Sequence, residues 1–266
     1  MDISSARLIF FSPTETTAKI LHGIAQGIQP DIVNSIDLTP PAAKSRDFGE
    51  MSDELVIIGS PVHGGRIPSE AACRLRQIRG NNTPAVIVVV YGNKEYEDAL
   101  LELRDIVTDL GFVPIAGGAF IGEHSYNSEN TPIAIGRPDA QDIEKAKRFG
   151  RSIQEKINRI STLDDIPSLY VPGDFPYKER GILPDMAPIT VETLCVLCGE
   201  CAAVCPTAAI TVGEAVVTDQ KECIHCSACV KKCPTGARVW DSPLIDQAAK
   251  RLSANYHEPK EPQIYL

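Results

Sequence analysis

Eight of the nine cysteines of this 266-residue chain fall into two copies of one spacing, Cys-x2-Cys-x2-Cys-x3-Cys-Pro. The first copy is Cys195, Cys198, Cys201, Cys205 and Pro206; the second is Cys223, Cys226, Cys229, Cys233 and Pro234. Three thiolates one turn apart wrap three irons of a cubane, and the fourth cysteine of each run ligates the other cluster. The spacing therefore predicts two [4Fe–4S] clusters. Cys195, Cys198, Cys201 and Cys233 hold one, and Cys223, Cys226, Cys229 and Cys205 hold the second. The proline after each fourth cysteine fixes φ and donates no hydrogen bond, which helps the chain turn away. Zinc ribbons use two Cys-x2-Cys pairs without a third cysteine or a repeated Cys-Pro ending. Disulfides need an oxidising compartment, and residues 1–5 carry no basic stretch ahead of an apolar one. A cytoplasmic location is expected.

The two copies extend beyond the cysteines. Residues 194–211 overlay residues 222–239 at an offset of 28 positions, with Pro206-Thr207 on Pro234-Thr235 and Ala209 on Ala237. Such a repeat implies pseudo-twofold symmetry, each half completing the other's cluster. So small a unit buries too little apolar surface to fold alone, and iron–sulfur bonds must supply much of its folding energy. Val196 and Ile224, inside the ligand loops, are expected to shield the clusters, with loop N–H groups turned toward the sulfides.

The elements ahead of the cysteines alternate between strand and helix patterns. Residues 6–11 form an apolar run ending at Ser12-Pro13, and residues 17–28 place Ile20, Leu21, Ile24, Ala25 and Ile28 on one helical face. Residues 32–38 and 55–58 read as strands. Pro68 opens a helix closed by Gly80. Residues 86–90 are five consecutive β-formers, as in a parallel strand buried on both faces. Residues 95–110 have helical periodicity capped by Gly111, 113–120 are a last strand, and 139–160 a long final helix. Residues 39–54 are poorly patterned. Together these predict an α/β domain with a doubly wound five-stranded parallel sheet, whose ligand sits at the carboxyl ends of the strands. The expected domains are 1–160, a proline-rich connector 161–188, a small α+β iron–sulfur domain 189–242, and a helix and tail 243–266. The connector's Tyr170, Phe175 and Tyr177 are expected to pack it along the first domain.

Three loops at those carboxyl ends carry the second cofactor expectation. Ser12-Pro13-Thr14-Glu15-Thr16-Thr17 brings hydroxyls and free N–H groups to a helix N-terminus, which suits a dianion. The loop running from Gly59 through Pro61, Val62, His63, Gly64, Gly65 and Arg66 to Pro68 has glycines that allow close approach to a flat ring. The third loop, Tyr91-Gly92-Asn93-Lys94-Glu95-Tyr96, offers an aromatic face.

With these motifs, residues 1–160 resemble a short-chain flavodoxin. The whole chain resembles anaerobe proteins that fuse a flavodoxin domain to a 2[4Fe–4S] ferredoxin. Ser12, Thr14 and Thr17 match the flavodoxin phosphate motif [TS]-x-T-G-x-T, and Thr16 is expected beside them. Pro61, Val62, His63, Gly64 and Gly65 resemble the loop flanking the isoalloxazine. Gly92, Asn93 and Tyr96 resemble the Gly-Asp-x-x-Tyr loop whose tyrosine stacks on the ring. The resemblance implies one FMN beside the two clusters, and extends to residues 120–125 and the tail near 259–266. Glu15 departs from it, standing where the motif has glycine. Its N–H could still donate while its carboxylate points to solvent, or its charge and Cβ could weaken FMN binding.

Other residues are weighed as structural. Cys73 is expected as a small core residue without redox role. His124 is read equally as a loop-fixing group or as a flavin or interface contact, and Arg66 as a flavin counter-charge or a loop cap.

Net charge of −9 argues against nucleic acid or anionic membrane as partners, and no segment reaches the roughly 20 apolar residues of a membrane span. Redox proteins are the expected partners: a ferredoxin, a flavodoxin, or a reductase or oxidase. The sequence leaves oligomeric state open. The leading function is a low-potential electron relay between two clusters and FMN in anaerobic metabolism, a flavin trading two electrons and cubanes one. The alternative is an FMN-dependent reductase of a small substrate or protein-bound cofactor, fed through the iron–sulfur domain. No G-x-G-x-x-G follows a strand and no catalytic constellation nominates acid–base chemistry, so the choice between carrier and oxidoreductase stays open. A cluster-based redox sensor is a third reading, without a recognisable DNA-binding element.

Overall fold

A computed structural model of the chain describes residues 4–163 and 166–266. Residues 1–3, on which the leader expectation partly falls, and residues 164–165 of the connector lie outside the described residues. The first domain runs β1 (Ser5–Phe10), α1 (Thr16–Ile28), β2 (Ile32–Asp37), a 3-10 turn (Pro41–Ser45), β3 (Glu50–Met51) and β4 (Leu55–Pro61). It continues with α2 (Ser69–Leu75), β5 (Arg79–Gly80), β6 (Thr83–Tyr91), α3 (Ala99–Asp109), β7 (Phe112–Ile121) and α4 (Ala140–Arg159). Strands β2-β1-β4-β6-β7 pair in that order, all parallel. This is the doubly wound, flavodoxin-like order, with the chain reversing direction across the sheet beside β1.

Period-two alternation divides the core between the sheet's faces. Ile9, Phe11, Val56, Ile58, Ile87 and Val89 face α2 and α3, while Leu8, Phe10, Leu55, Ile57, Val86 and Val88 face α1 and α4. Helices α1 and α4 approach until a Cβ on Gly27 would stand 2.0 Å from the Lys147 carbonyl oxygen. Asp139 caps α4, accepting from the N–H groups of Gln141 and Asp142 while Asp142 accepts from Asp139, a reciprocal capping box. In β7, Pro114 has no N–H to pair, and the register slips there, with Ala85 opposite Pro114 but Val86 opposite Ala116.

Several expectations change in detail. The unpatterned stretch 39–54 holds the 3-10 turn and β3, not a full helix. Helix α3 starts at Ala99 because Asn93 and Glu97 are left-handed, with φ of 61° and 43°. Cys73 is exposed: the short α2 buries Ala71, Arg74 and Leu75 and turns Cys73 outward. In the connector, Leu169 and Val171 join the core, and Tyr177 donates to Asp105, whereas Tyr170 and Phe175 face solvent.

The second domain comprises β8 (Ile189–Thr190), α5 (Glu200–Ala203), β9 (Ile210–Val212), β10 (Val216–Thr218), α6 (Ala228–Lys231) and β11 (Arg238–Val239). β8 pairs with β11 and β9 with β10, both antiparallel, so each half reads strand, ligand loop, short helix, strand. Cys201, Cys205, Ala209, Ile210 and Cys229 make its small core. Helix α7 (Pro243–Asn255) follows, and the tail returns as β12 (Gln263–Tyr265), antiparallel to β7. The main sheet thus has six strands where five were expected. β12 hydrogen-bonds the edge that β7 would otherwise expose.

Candidate functional site

The repeat in the cysteine loops is also a repeat in backbone conformation. Leu197 and His225 are left-handed, as are Gly199 and Ser227, and Ala208 and Gly236. Each pair is separated by the same 28 positions as the cysteines. Four of these six residues carry a Cβ and pay roughly 1–2 kcal/mol for that conformation. Alternating right- and left-handed residues form concave nests of N–H groups, which favour anions such as iron–sulfur clusters. A buried cation completes the chemistry: the Arg238 guanidinium donates to Thr190, Thr218 and Cys229 Sγ, and its Nε has no partner among the described residues. Eight thiols, nested N–H groups and an unsatisfied buried donor fit an anionic multi-iron group. Among the described residues no three His, Cys, Asp or Glu side chains gather as ligands of one metal ion. Val196, expected as a shield, is 65% exposed; Ile224 lines a cavity with Cys205, Cys223, Cys226 and Cys229 and also packs against the first domain's core.

At the carboxyl ends of β1, β4, β6 and β7, four loops surround a cavity of about 700 Å³ including its mouth. Thr14, Thr16, Pro61, Val62, His63, Gly64, Gly65 and Gly92 all line it. Gly64 and Gly65 are left-handed, and a Cβ on Gly64 would meet open space. Pro13 of the first expected loop and Gly122 and Ser125 of the 120–125 stretch also line this wall, at the end of the sheet where a ligand belongs.

The remaining members of the expected set serve differently. Ser12 Oγ accepts the Ala18 N–H at 3.1 Å and so holds the first turn of α1. Thr17 is fully buried, its Oγ1 without a partner among the described residues. That donor and the free N–H groups of α1 suit a phosphate. Glu15 takes the left-handed conformation, φ 64°, and its carboxylate reaches out of the loop to Lys232 Nζ at 2.7 Å. Asn93 turns away from the cavity and holds the tail, donating to the Tyr256 and Glu258 carbonyls and accepting from the Lys260 N–H.

Tyr96 corrects the sequence reading. Its ring is buried in the core and its hydroxyl meets Gln263 and Tyr265 of β12 at 2.6 and 2.7 Å. Burial and the Tyr265 hydrogen bond push its pKa up. It is a fastener for the tail, and Tyr91 is the tyrosine on the cavity wall. Arg66 likewise faces the connector, pairing with Glu102 and lying 4.6 Å from the Tyr177 ring centroid.

His63 and His124 both line the cavity, and loss of hydration pushes each down to about 4. Lys231 and His63 lower His124 further. His124 Nδ1 accepts the Tyr126 N–H at 3.0 Å, which puts the ring proton of the neutral imidazole on Nε2. The ring packs on Gly92, where a Cβ would stand 2.4 Å from His124 Cδ2.

The second domain closes on this cavity. Cys226 is part of its wall. Lys231 donates to Glu123 and to the His124 carbonyl at 2.7 and 3.0 Å. Arg74, buried in the first domain, donates to Pro206, the residue after Cys205. Tyr126 approaches His225 Nδ1 at 3.4 Å and meets Trp240 edge-on at 5.8 Å. No local pattern in the sequence announces these contacts.

No helix among the described residues is long and apolar enough to cross a membrane. None of the curated proteins matches the chain in sequence. Similar solved structures include a flavodoxin from the domain Archaea, with 14% identity, 58% of this chain and 99% of that chain covered, and TM-score 0.36. Oxidised Flavodoxin 1 from Bacillus cereus aligns at 17% identity over 59% of this chain and 100% of its own, TM-score 0.39. Rubredoxin oxygen:oxidoreductase from the anaerobe Desulfovibrio gigas aligns at 20% identity and TM-score 0.43, over 58% of this chain but only 36% of that one. The fold of the first domain rests on its own sheet order. Residues 194–240 match the 4Fe-4S dicluster domain family. The chain therefore joins a flavodoxin-like domain to an iron–sulfur domain of dicluster type.

Proposed function

We propose that this protein is an intramolecular electron relay, with FMN in the cavity of residues 1–160 and two [4Fe–4S] clusters in residues 189–242. The observation that carries the reading is Cys226: a candidate cluster ligand lies on the wall of the candidate flavin cavity. The bound flavin would supply exchange between one- and two-electron carriers, and the clusters single-electron transfer. Thr14, Thr16, Thr17 and the first N–H groups of α1 hold the phosphate. Gly64, Gly65 and Gly92 admit the ring, and neutral His63 and His124 line its surroundings without adding charge.

The cluster of Cys205, Cys223, Cys226 and Cys229 is the flavin's neighbour. Cys198 is exposed in the first ligand loop beside the exposed Val196 and Leu197, which supports the other cluster as the one that meets external redox proteins. Lys231, Lys232 and Arg74 hold the geometry, replacing encounter by a fixed, high effective concentration. Anaerobically purified protein should contain about eight iron, eight sulfide and one FMN per chain, the content of two cubanes and one flavin. Electron transfer between clusters and flavin should then be independent of protein concentration. A rate that scales with concentration, or protein that binds either cofactor alone, overturns the relay.

A further inference from the structure

Arg238 is a buried charge with no carboxylate partner among the described residues; it is 3% exposed. One terminal nitrogen donates to Thr190 Oγ1 at 2.7 Å, the other to Thr218 Oγ1 at 2.9 Å and to Cys229 Sγ at 3.9 Å. Nε–H is buried and has no partner among the described residues. By the ligand spacing, Cys229 belongs with Cys205, Cys223 and Cys226 to one cluster. The guanidinium thus touches a candidate ligand of that cluster.

An unpaired buried cation is costly unless an anion compensates it. Two threonine hydroxyls satisfy hydrogen bonds and leave the charge uncompensated. Thiolate-ligated clusters are anionic, and they become more so on reduction.

We propose that Arg238 is a positioning residue that tunes the clusters: its fixed positive charge favours their reduced states, that of the Cys229 cluster most, and its free Nε–H donates to a sulfur there. Reduction adds one electron to the cluster, delivered by an external one-electron carrier. The guanidinium stays protonated in both states, so no proton accompanies the electron. The charge lies beside a candidate ligand of the Cys229 cluster and bears on electron passage to and from that cluster in either direction. This inference rests on the cluster assignment.

The test is an anaerobic redox titration followed by electron paramagnetic resonance, on the full chain carrying its clusters. Iron and sulfide content is measured first. Protein that takes up neither fails the cluster assignment, and the role of Arg238 with it. With clusters present, Arg238→Gln should lower the midpoint potential of the Cys229 cluster. The expected size is tenfold or more in the reduced-to-oxidised ratio, about 59 mV for one electron. Arg238→Lys, which keeps the charge, should recover most of that loss. The double variant Thr190→Val with Thr218→Val removes the hydroxyl partners and keeps the charge; it should lose stability and leave the potential in place. Equal potentials in the Gln variant and the unaltered protein, or equal shifts in the Gln and Lys variants, overturn the proposal. If Arg238→Gln does not fold, unaltered protein with nitrogen-15 arginine decides: a hyperfine coupling from arginine nitrogen at the reduced cluster is expected and must vanish in Arg238→Lys. Its absence from the unaltered protein refutes the contact.

Discussion

Glu15 Oε2 lies 2.7 Å from Lys232 Nζ, an ion pair that joins the first loop of the flavodoxin-like domain to the residue before the candidate ligand Cys233. The carboxylate at the motif's glycine position is therefore directed out of the loop, while the residue's main chain keeps the turn that glycine would make.

Glu15→Gly should leave FMN affinity unchanged or raise it. The change relieves about 1 kcal/mol of left-handed strain and removes a negative charge near the phosphate. It also breaks a half-exposed ion pair of small energy, about 0–1 kcal/mol. Fluorescence titration of apoprotein with FMN measures the outcome. Marked loss of affinity would make the Glu15–Lys232 pair a requirement of the site.

Tyr96→Phe separates the two readings of that residue. The structure predicts an unaltered flavin spectrum and a loss of about 1 kcal/mol, since the deleted hydroxyl bonds Gln263 and Tyr265. Faster proteolysis of the tail should accompany it. A shifted flavin absorption band with an undisturbed tail would return Tyr96 to the ring.

Gly92→Ala should displace His124, because the new Cβ would lie 2.4 Å from the imidazole. FMN affinity is expected to fall at least tenfold, about 1.4 kcal/mol, with iron content unaffected. Retained affinity would show that the His124 ring moves aside freely.

His124 makes stability depend on pH. Burial holds its folded pKa at about 4, below the ordinary imidazole value of about 6.5, so the folded state favours the neutral ring. The contribution is fully present above pH 6.5 and is lost as pH falls toward 4, on the order of 3 kcal/mol in all. Ring NMR shifts should report a neutral His124 at pH 5.5. A midpoint near 6.5 would mean that the cavity wall is wetter than the structure implies.

Cys233→Ala should damage the cluster of Cys195, Cys198 and Cys201, and Cys205→Ala that of Cys223, Cys226 and Cys229. Electron paramagnetic resonance of the reduced variants distinguishes the two centres. Loss of the neighbouring cluster in each case would reverse the pairing.

What was legible in the sequence was local. Residues 86–90 declared a central strand because both faces of it are buried, and Ile20, Leu21, Ile24 and Ile28 declared α1 because one face is. The cysteine spacing carried the iron–sulfur domain because ligand geometry is itself a short-range constraint. Tyr96 misled because a loop of familiar composition turns differently once Asn93 and Glu97 go left-handed. β12 was hidden because three residues gain strand character only by meeting β7. Cys226 on the cavity wall, and Arg238 beside Cys229, Thr190 and Thr218, depend on how distant segments pack, and no periodicity records that.

Strand β12 has a topological consequence. The connector is fastened along α3 through Asp98, which accepts the N–H groups of Asp174 and Lys178, and the chain comes back to the same domain at β7. The iron–sulfur unit is consequently no pendant appendage. It is an insertion whose two stems are both rooted in one host, and such a closed loop has far fewer excursions open to it than a free end. Severing the chain before Gln263 would remove that second root and leave the return path held by Asn93, which grips Tyr256, Glu258 and Lys260.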